Sequence, residues 1–174
     1  MSGSFSIPLK GLKDGRHTFK FEINKEFFDL FDESEIKEGD LNAIAEINKM
    51  SAHLDLYISI SGKVRISCDR CLEMFYYGIH TENRLLVKAG RVFDDSDPEI
   101  ITIPSPDHEL DLKQYLYEFI HLALPIQRVH PGDDQGNVTC DPVMLRKLDE
   151  YLVKSEESEN HHQWEELKKL MENN

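Results

Sequence analysis

No stretch of this sequence approaches the roughly 20 apolar residues that a bilayer-spanning helix requires. Its opening residues, from Met1 to Lys10, also lack the charged-then-apolar order of an export signal. A cytoplasmic chain with no membrane partner is expected. Cysteine is scarce: Cys68, Cys71 and Cys140 are the three present. Their odd number and the missing signal argue against a disulfide framework and for reduced thiols. There is no G-x-G-x-x-G and no P-loop, and no Ser-His-Asp set can be assembled from local motifs. Carboxylates are plentiful, yet nothing singles out two of them as an acid and base pair. The expectation is a protein that is not an enzyme. Positive charge is also in short supply, with 20 Lys and Arg against 33 Asp and Glu and a net charge of −13. Phosphate backbones repel a free protein of that sign, which disfavours autonomous, sequence-independent nucleic-acid binding.

What is present suffices for one domain and a tail. The chain has 174 residues, 40% of them hydrophobic and 30% charged, enough apolar side chains for one core. Apolar residues alternate through Phe5 to Leu9 and Phe19 to Ile23, which predicts a hairpin across the turn-rich Gly11 to Gly15. Asn24 is placed to cap a short helix over Lys25 to Phe31, with Phe27, Phe28 and Phe31 on one face. Alternation resumes at Leu41 to Ile47 and at Leu54 to Ile60, where Gly62 is expected to turn the chain. A further strand begins at Lys63, and Phe75 to Lys88 returns as a long strand or a bent pair. Residues 91–110 read as an exposed acidic excursion around the apolar Ile100 to Ile103. Leu112, Leu116, Phe119, Ile120 and Ala123 share a face, so a helix is expected over 110–123 with Pro125 beyond its end. Asp141-Pro142 starts another, running to about 153. The fold class is therefore α+β, a mainly antiparallel sheet, open or barrel-like, with helices packed in the C-terminal half. Residues 1–153 form the expected domain. Residues 154–174 form a polar linker and a short amphipathic helix carrying Trp164, Leu167, Leu170 and Met171.

Chemistry concentrates at Cys68-Asp69-Arg70-Cys71, a C-x2-C knuckle between strand segments. Two thiolates on one side of a tight turn suit half of a tetrahedral zinc site. A thioredoxin-type redox pair would instead need the motif at a helix start, where the dipole lowers the thiol pKa. The remaining candidate ligands are His130 and Cys140, at the two ends of an irregular loop. Cys68, Cys71, His130 and Cys140 thus form the candidate set for one structural zinc ion, which in small peptides contributes roughly 10–16 kcal/mol. The alternative is a metal-free turn, a loop histidine and a small buried thiol at Cys140. Around the knuckle, Lys63, Arg65, Arg70, Arg84, Lys88 and Arg91 outnumber Asp69, Glu73 and Glu82, giving a locally basic block interleaved with Phe75, Tyr76 and Tyr77. Such residues can pair phosphates and stack bases; equally, they can be strand-face charges over a buried aromatic core.

Several of these residues together resemble a known family. Ser67-Cys68-Asp69-Arg70-Cys71-Leu72-Glu73, Leu110-Asp111-Leu112, Glu118, Leu122-Ala123-Leu124-Pro125 and Val129-His130 are similar, in order and spacing, to the YceD family of large ribosomal RNA subunit accumulation proteins. His130 and Cys140 fall where relatives place one or more cysteines, and Trp164 to Leu170 resembles the Trp-x-x-Leu-x-x-Leu ending of many members. The resemblance implies a non-enzymatic role in the synthesis, processing or stability of large-subunit ribosomal RNA in bacteria, hence ribosome biogenesis. For so acidic a chain, a basic ribosomal or biogenesis protein is the expected partner, with RNA contact through the local basic patch as the other route. Two alternatives remain at this point: an acidic interaction module unrelated to ribosomes, using 94–109 and the terminal helix, and a thiol redox protein centred on Cys68 and Cys71.

Overall fold

Two long strands carry the fold. In the computed structural model, β4 (His53–Ser67) and β5 (Met74–Ala89) pair antiparallel along their whole length, from His53 opposite Lys88 to Ser67 opposite Met74. The structure describes residues 5–50, 53–89, 100–103, 109–132 and 139–152. β2 (Gly15–Ile23) and β3 (Glu38–Lys49) extend the sheet on one side, and β6 (Ile100–Ile103) runs parallel to β5 on the other. The resulting five-stranded sheet has the order β2-β3-β4-β5-β6 and is open. β1 (Ser6–Pro8) and β7 (Glu109–Asp111) form a separate two-stranded ribbon.

Period-two alternation fixes the core. Leu41, Ala43, Ala45 and Ile47 on β3, Leu54, Leu56, Ile58 and Ile60 on β4, and Ile79, Leu85 and Val87 on β5 all turn inward. Against them pack Phe27 and Phe28 of α1 (Lys25–Phe28), and Leu116 and Ile120 of α2 (Lys113–Leu122), with Leu112 just before it. Each buried Leu, Ile or Phe among them contributes about 1.5–3 kcal/mol relative to exposure. Asn24 caps α1 as expected, its side-chain oxygen accepting from Glu26 N–H at 3.0 Å. Asp141 caps α3 (Pro142–Tyr151) through Val143 N–H at 3.0 Å.

Three readings of the sequence change. Phe5 to Leu9 does not form a hairpin with Phe19 to Ile23: β1 pairs with β7, Ile7 opposite Leu110, and β2 pairs with β3. Alternation specifies which face of a strand is buried but not which strand lies beside it. Nor does Gly62 turn the chain. β4 runs straight through it at φ +147, and a Cβ there would collide with the Asp40 carbonyl and Leu41 Cα of β3. Glycine here permits a close approach between strands. Finally, Ile100–Ile103 is an edge strand with Ile101 buried, not part of an exposed excursion. The expected helix over 110–123 begins at Lys113 because Glu109–Asp111 is used as β7. The expected segment 154–174 and the acidic residues 94–99 lie outside the described residues.

Candidate metal centre

The knuckle is the connection between the two longest strands. Cys68 N–H donates to Glu73 O at 2.9 Å, and Leu72 N–H donates to Cys68 O at 2.9 Å, closing a single α-turn over residues 68–72. Leu72 takes φ 63, the only non-glycine residue in the left-handed region among the described residues, and is 67% exposed. The turn directs Cys68 and Cys71 inward, both buried. It does not start a helix, so the dipole that activates a thioredoxin-type thiol is absent here.

The loop beyond α2 reaches the same point. Asp69 N–H donates to Arg128 O, and Arg128 N–H donates back to the Asp69 carboxylate, each at 2.7 Å. Arg128 also pairs with Glu35 at 2.5 Å, tying the loop to the segment after α1. Two residues on, His130 packs against Phe75 with ring centroids 4.6 Å apart. Cys140, just ahead of α3, is buried on the other side.

Four side chains meet. Cys68 Sγ is 3.7 Å from Cys140 Sγ, and His130 Nδ1 is 3.4 Å from Cys71 Sγ and 3.5 Å from Cys140 Sγ. All four donor atoms lie within 4.8 Å of one another. A zinc ion with sulfur at about 2.3 Å and imidazole nitrogen at about 2.0–2.1 Å sets tetrahedral edges of roughly 3.8 Å between sulfurs and roughly 3.6 Å from sulfur to nitrogen. The donor set and its spacing fit that geometry. The thiols are also electrostatically divided. Burial pushes Cys68 up, but backbone N–H groups of Cys71, Arg70 and His130, with the Cys71 thiol, outweigh it and hold Cys68 at about 6. Burial, followed by the neighbouring Cys68 and Cys71 thiols, drives Cys140 up to about 11. A buried thiolate beside a thiol that resists ionisation is an arrangement that a divalent cation would balance.

The basic residues are placed differently. Lys63 and Arg65 on β4 and Arg84 and Lys88 on β5 all stand on the sheet face away from the core, and Arg70 is exposed in the knuckle. Lys63, Arg65 and Arg70 lie at the knuckle end. Arg84 and Lys88 are ten and fourteen residues along β5 from Met74, roughly 30–45 Å away. Two carry acidic partners: Arg65 meets Glu38 at 2.9 Å and Arg84 meets Asp55 at 2.8 Å. Lys63 lies over the Tyr76 ring at 5.1 Å and Arg84 over Tyr57 at 5.4 Å. Asp69 and Arg128 were missed by the sequence reading as site residues. An aspartate inside C-x2-C carries no signal of the backbone amide it will accept.

Fold and site together define a class: an open, mainly antiparallel sheet domain whose longest hairpin and C-terminal loop are joined through three cysteines and a histidine. Among the described residues, no helix is long and apolar enough to cross a membrane. The chain belongs to the YceD family, described as large ribosomal RNA subunit accumulation protein, whose model matches residues 56–171. That span takes in every member of the four-residue cluster. No curated protein and no solved structure matches the chain.

Proposed function

We propose that this chain is a cytoplasmic, non-enzymatic accessory factor in the synthesis, processing or accumulation of large-subunit ribosomal RNA. In this reading Cys68, Cys71, His130 and Cys140 hold one structural zinc ion, and residues 1–153 act as a single binding module with 154–174 as linker and helix. The observation that carries it is the meeting of two distant family-matching stretches, the knuckle and the loop after Pro125, in one donor set of three buried cysteines and a half-buried histidine. Bound there, zinc would supply a tetrahedral cross-link and a counter-charge. The protein's own residues do the rest: Asp69 and Arg128 align the loop, and Phe75 fixes the imidazole plane.

A net charge of −13 favours a basic protein partner, such as a ribosomal or biogenesis protein. Direct RNA contact is the second reading, supported by Tyr76, which is 55% exposed, beneath Lys63. Deleting the protein is expected to lower large-subunit relative to small-subunit ribosomal RNA, and an unchanged ratio refutes the assignment. Sedimentation of cell extract at low and high salt tests the partner: the chain should travel with pre-ribosomal particles and leave them as salt screens exposed charges.

A further inference from the structure

β2 forms one edge of the sheet. Among the described residues it pairs with β3 alone, leaving a nine-residue edge without a neighbour, whereas the opposite edge strand β6 has four residues. An unpaired edge of that length is a template for another strand. Arg16, Thr18, Lys20 and Glu22 are exposed on its outer side, while His17, Phe19 and Phe21 are half-buried on the core side. Neither Arg16 nor Glu22 has an ion-pair partner among the described residues.

The pattern is complementary to its own reverse. We propose that the β2 edge binds the same edge of a second copy of this chain, antiparallel about Phe19. A two-fold axis at Phe19 sets Gly15 opposite Ile23, Arg16 opposite Glu22 and Thr18 opposite Lys20, with each contact occurring twice. Phe19 meets its own copy, and Phe21 meets His17, bringing half-buried rings together across the seam. Sliding one chain by two residues puts Arg16 against Lys20, or Lys20 against itself. Sliding by one sets core-side residues against outer ones. The register about Phe19 therefore combines full overlap with paired charges, and it adds roughly eight to ten backbone hydrogen bonds. A cationic extended segment is a poorer occupant, because it would meet Arg16 and Lys20 against Glu22 alone. The dimer holds one continuous sheet with the two knuckles at opposite ends, both accessible.

Sedimentation equilibrium of the full chain at low ionic strength tests this. A species of about 40 kDa is expected, twice the 20.2 kDa chain. Glu22→Arg and Arg16→Glu should each raise the dimer dissociation constant by about tenfold or more. The double swap Arg16→Glu/Glu22→Arg should restore it to within about threefold, since it rebuilds the same pair reversed. Circular dichroism of each variant confirms that the fold is intact. A chain that stays at the monomer mass up to about 100 μM overturns the proposal. So does a dimer indifferent to the single swaps, or a double swap that fails to restore association.

Discussion

Asp69 and Arg128 bond each other twice, backbone N–H to backbone carbonyl and backbone N–H to carboxylate, each at 2.7 Å across 59 positions of sequence. The contact works like a one-residue clasp: it sets the loop backbone two residues before His130 and thereby aims the imidazole at Cys71 and Cys140. The clasp is made by protein atoms alone: two backbone N–H groups, a backbone carbonyl and a carboxylate.

Asp69→Ala should therefore leave the sheet intact and loosen the centre. Partners that orient metal ligands typically account for about 10–100-fold in affinity, and a loss in that range is expected in a competition titration against a chromophoric chelator. Unfolding in urea should show a smaller cost, about 1–2 kcal/mol, for the orphaned Arg128 amide. Unchanged zinc affinity would show that the clasp does not position His130.

Protein purified without a metal-binding tag should contain one zinc per chain by elemental analysis. At free zinc about 1,000-fold above the dissociation constant, the ion contributes about 4 kcal/mol to folding, so chelation should lower the melting temperature by many degrees. Cys68→Ser should behave like the chelated protein and show no further response to chelator. Full stability without metal, with no shift on adding zinc, would remove the site.

The thiols also set the pH response. Cys68 in the folded chain sits at about 6, below its ordinary 9.0. A value lowered by folding contributes stability that is complete above 9.0 and falls away as the pH drops through about 6. Cys140 has the opposite sign: raised to about 11, it contributes stability below 9.0 that is lost as the pH climbs through 11. Metal-free protein should gain stability from pH 5.5 to 8.5, and Cys68→Ser should flatten that rise, as read from urea unfolding. Zinc uptake near pH 7.5 should release at least one proton, from Cys140, measurable by calorimetry in buffers of different ionisation enthalpy.

Gly62→Ala probes the strand that carries the knuckle. The added methyl group meets β3 backbone, not a movable side chain, at a φ that alanine disfavours. A loss of about 2–3 kcal/mol is expected. The control, Gly78→Ala on β5, has open space at its Cβ and should cost far less. Equal losses would show that the close approach at Gly62 is not what demands glycine.

Much of this architecture was legible in the sequence, for reasons specific to particular residues. The strands alternate because one face is buried, and Leu112, Leu116 and Ile120 repeat at helical spacing because they cover that face. Cys68, Cys71, His130 and Cys140 could be grouped because few residue types can hold zinc. Their distance in sequence was bridged by contacts that leave no local trace, namely the Asp69–Arg128 clasp and the Phe75–His130 packing. What could not be read was partner choice. Nothing in Phe5 to Leu9 names β7, and nothing in Ile100 to Ile103 announces a parallel neighbour. Gly62 was misread because a glycine in a strand looks the same in sequence whether it ends the strand or admits another backbone beside it.

The wide separation of the donors has a consequence during synthesis. Cys140 is translated sixty-nine codons after Cys71, and at about 5–20 residues per second the earlier pair waits roughly 3–14 s for it. Throughout that interval the nascent hairpin can offer an incoming ion only two sulfurs, with the weak grip of an incomplete chelate. In the proposed zinc centre, durable capture would follow release of the later loop, so that metal loading would report that translation has passed the codon for Cys140.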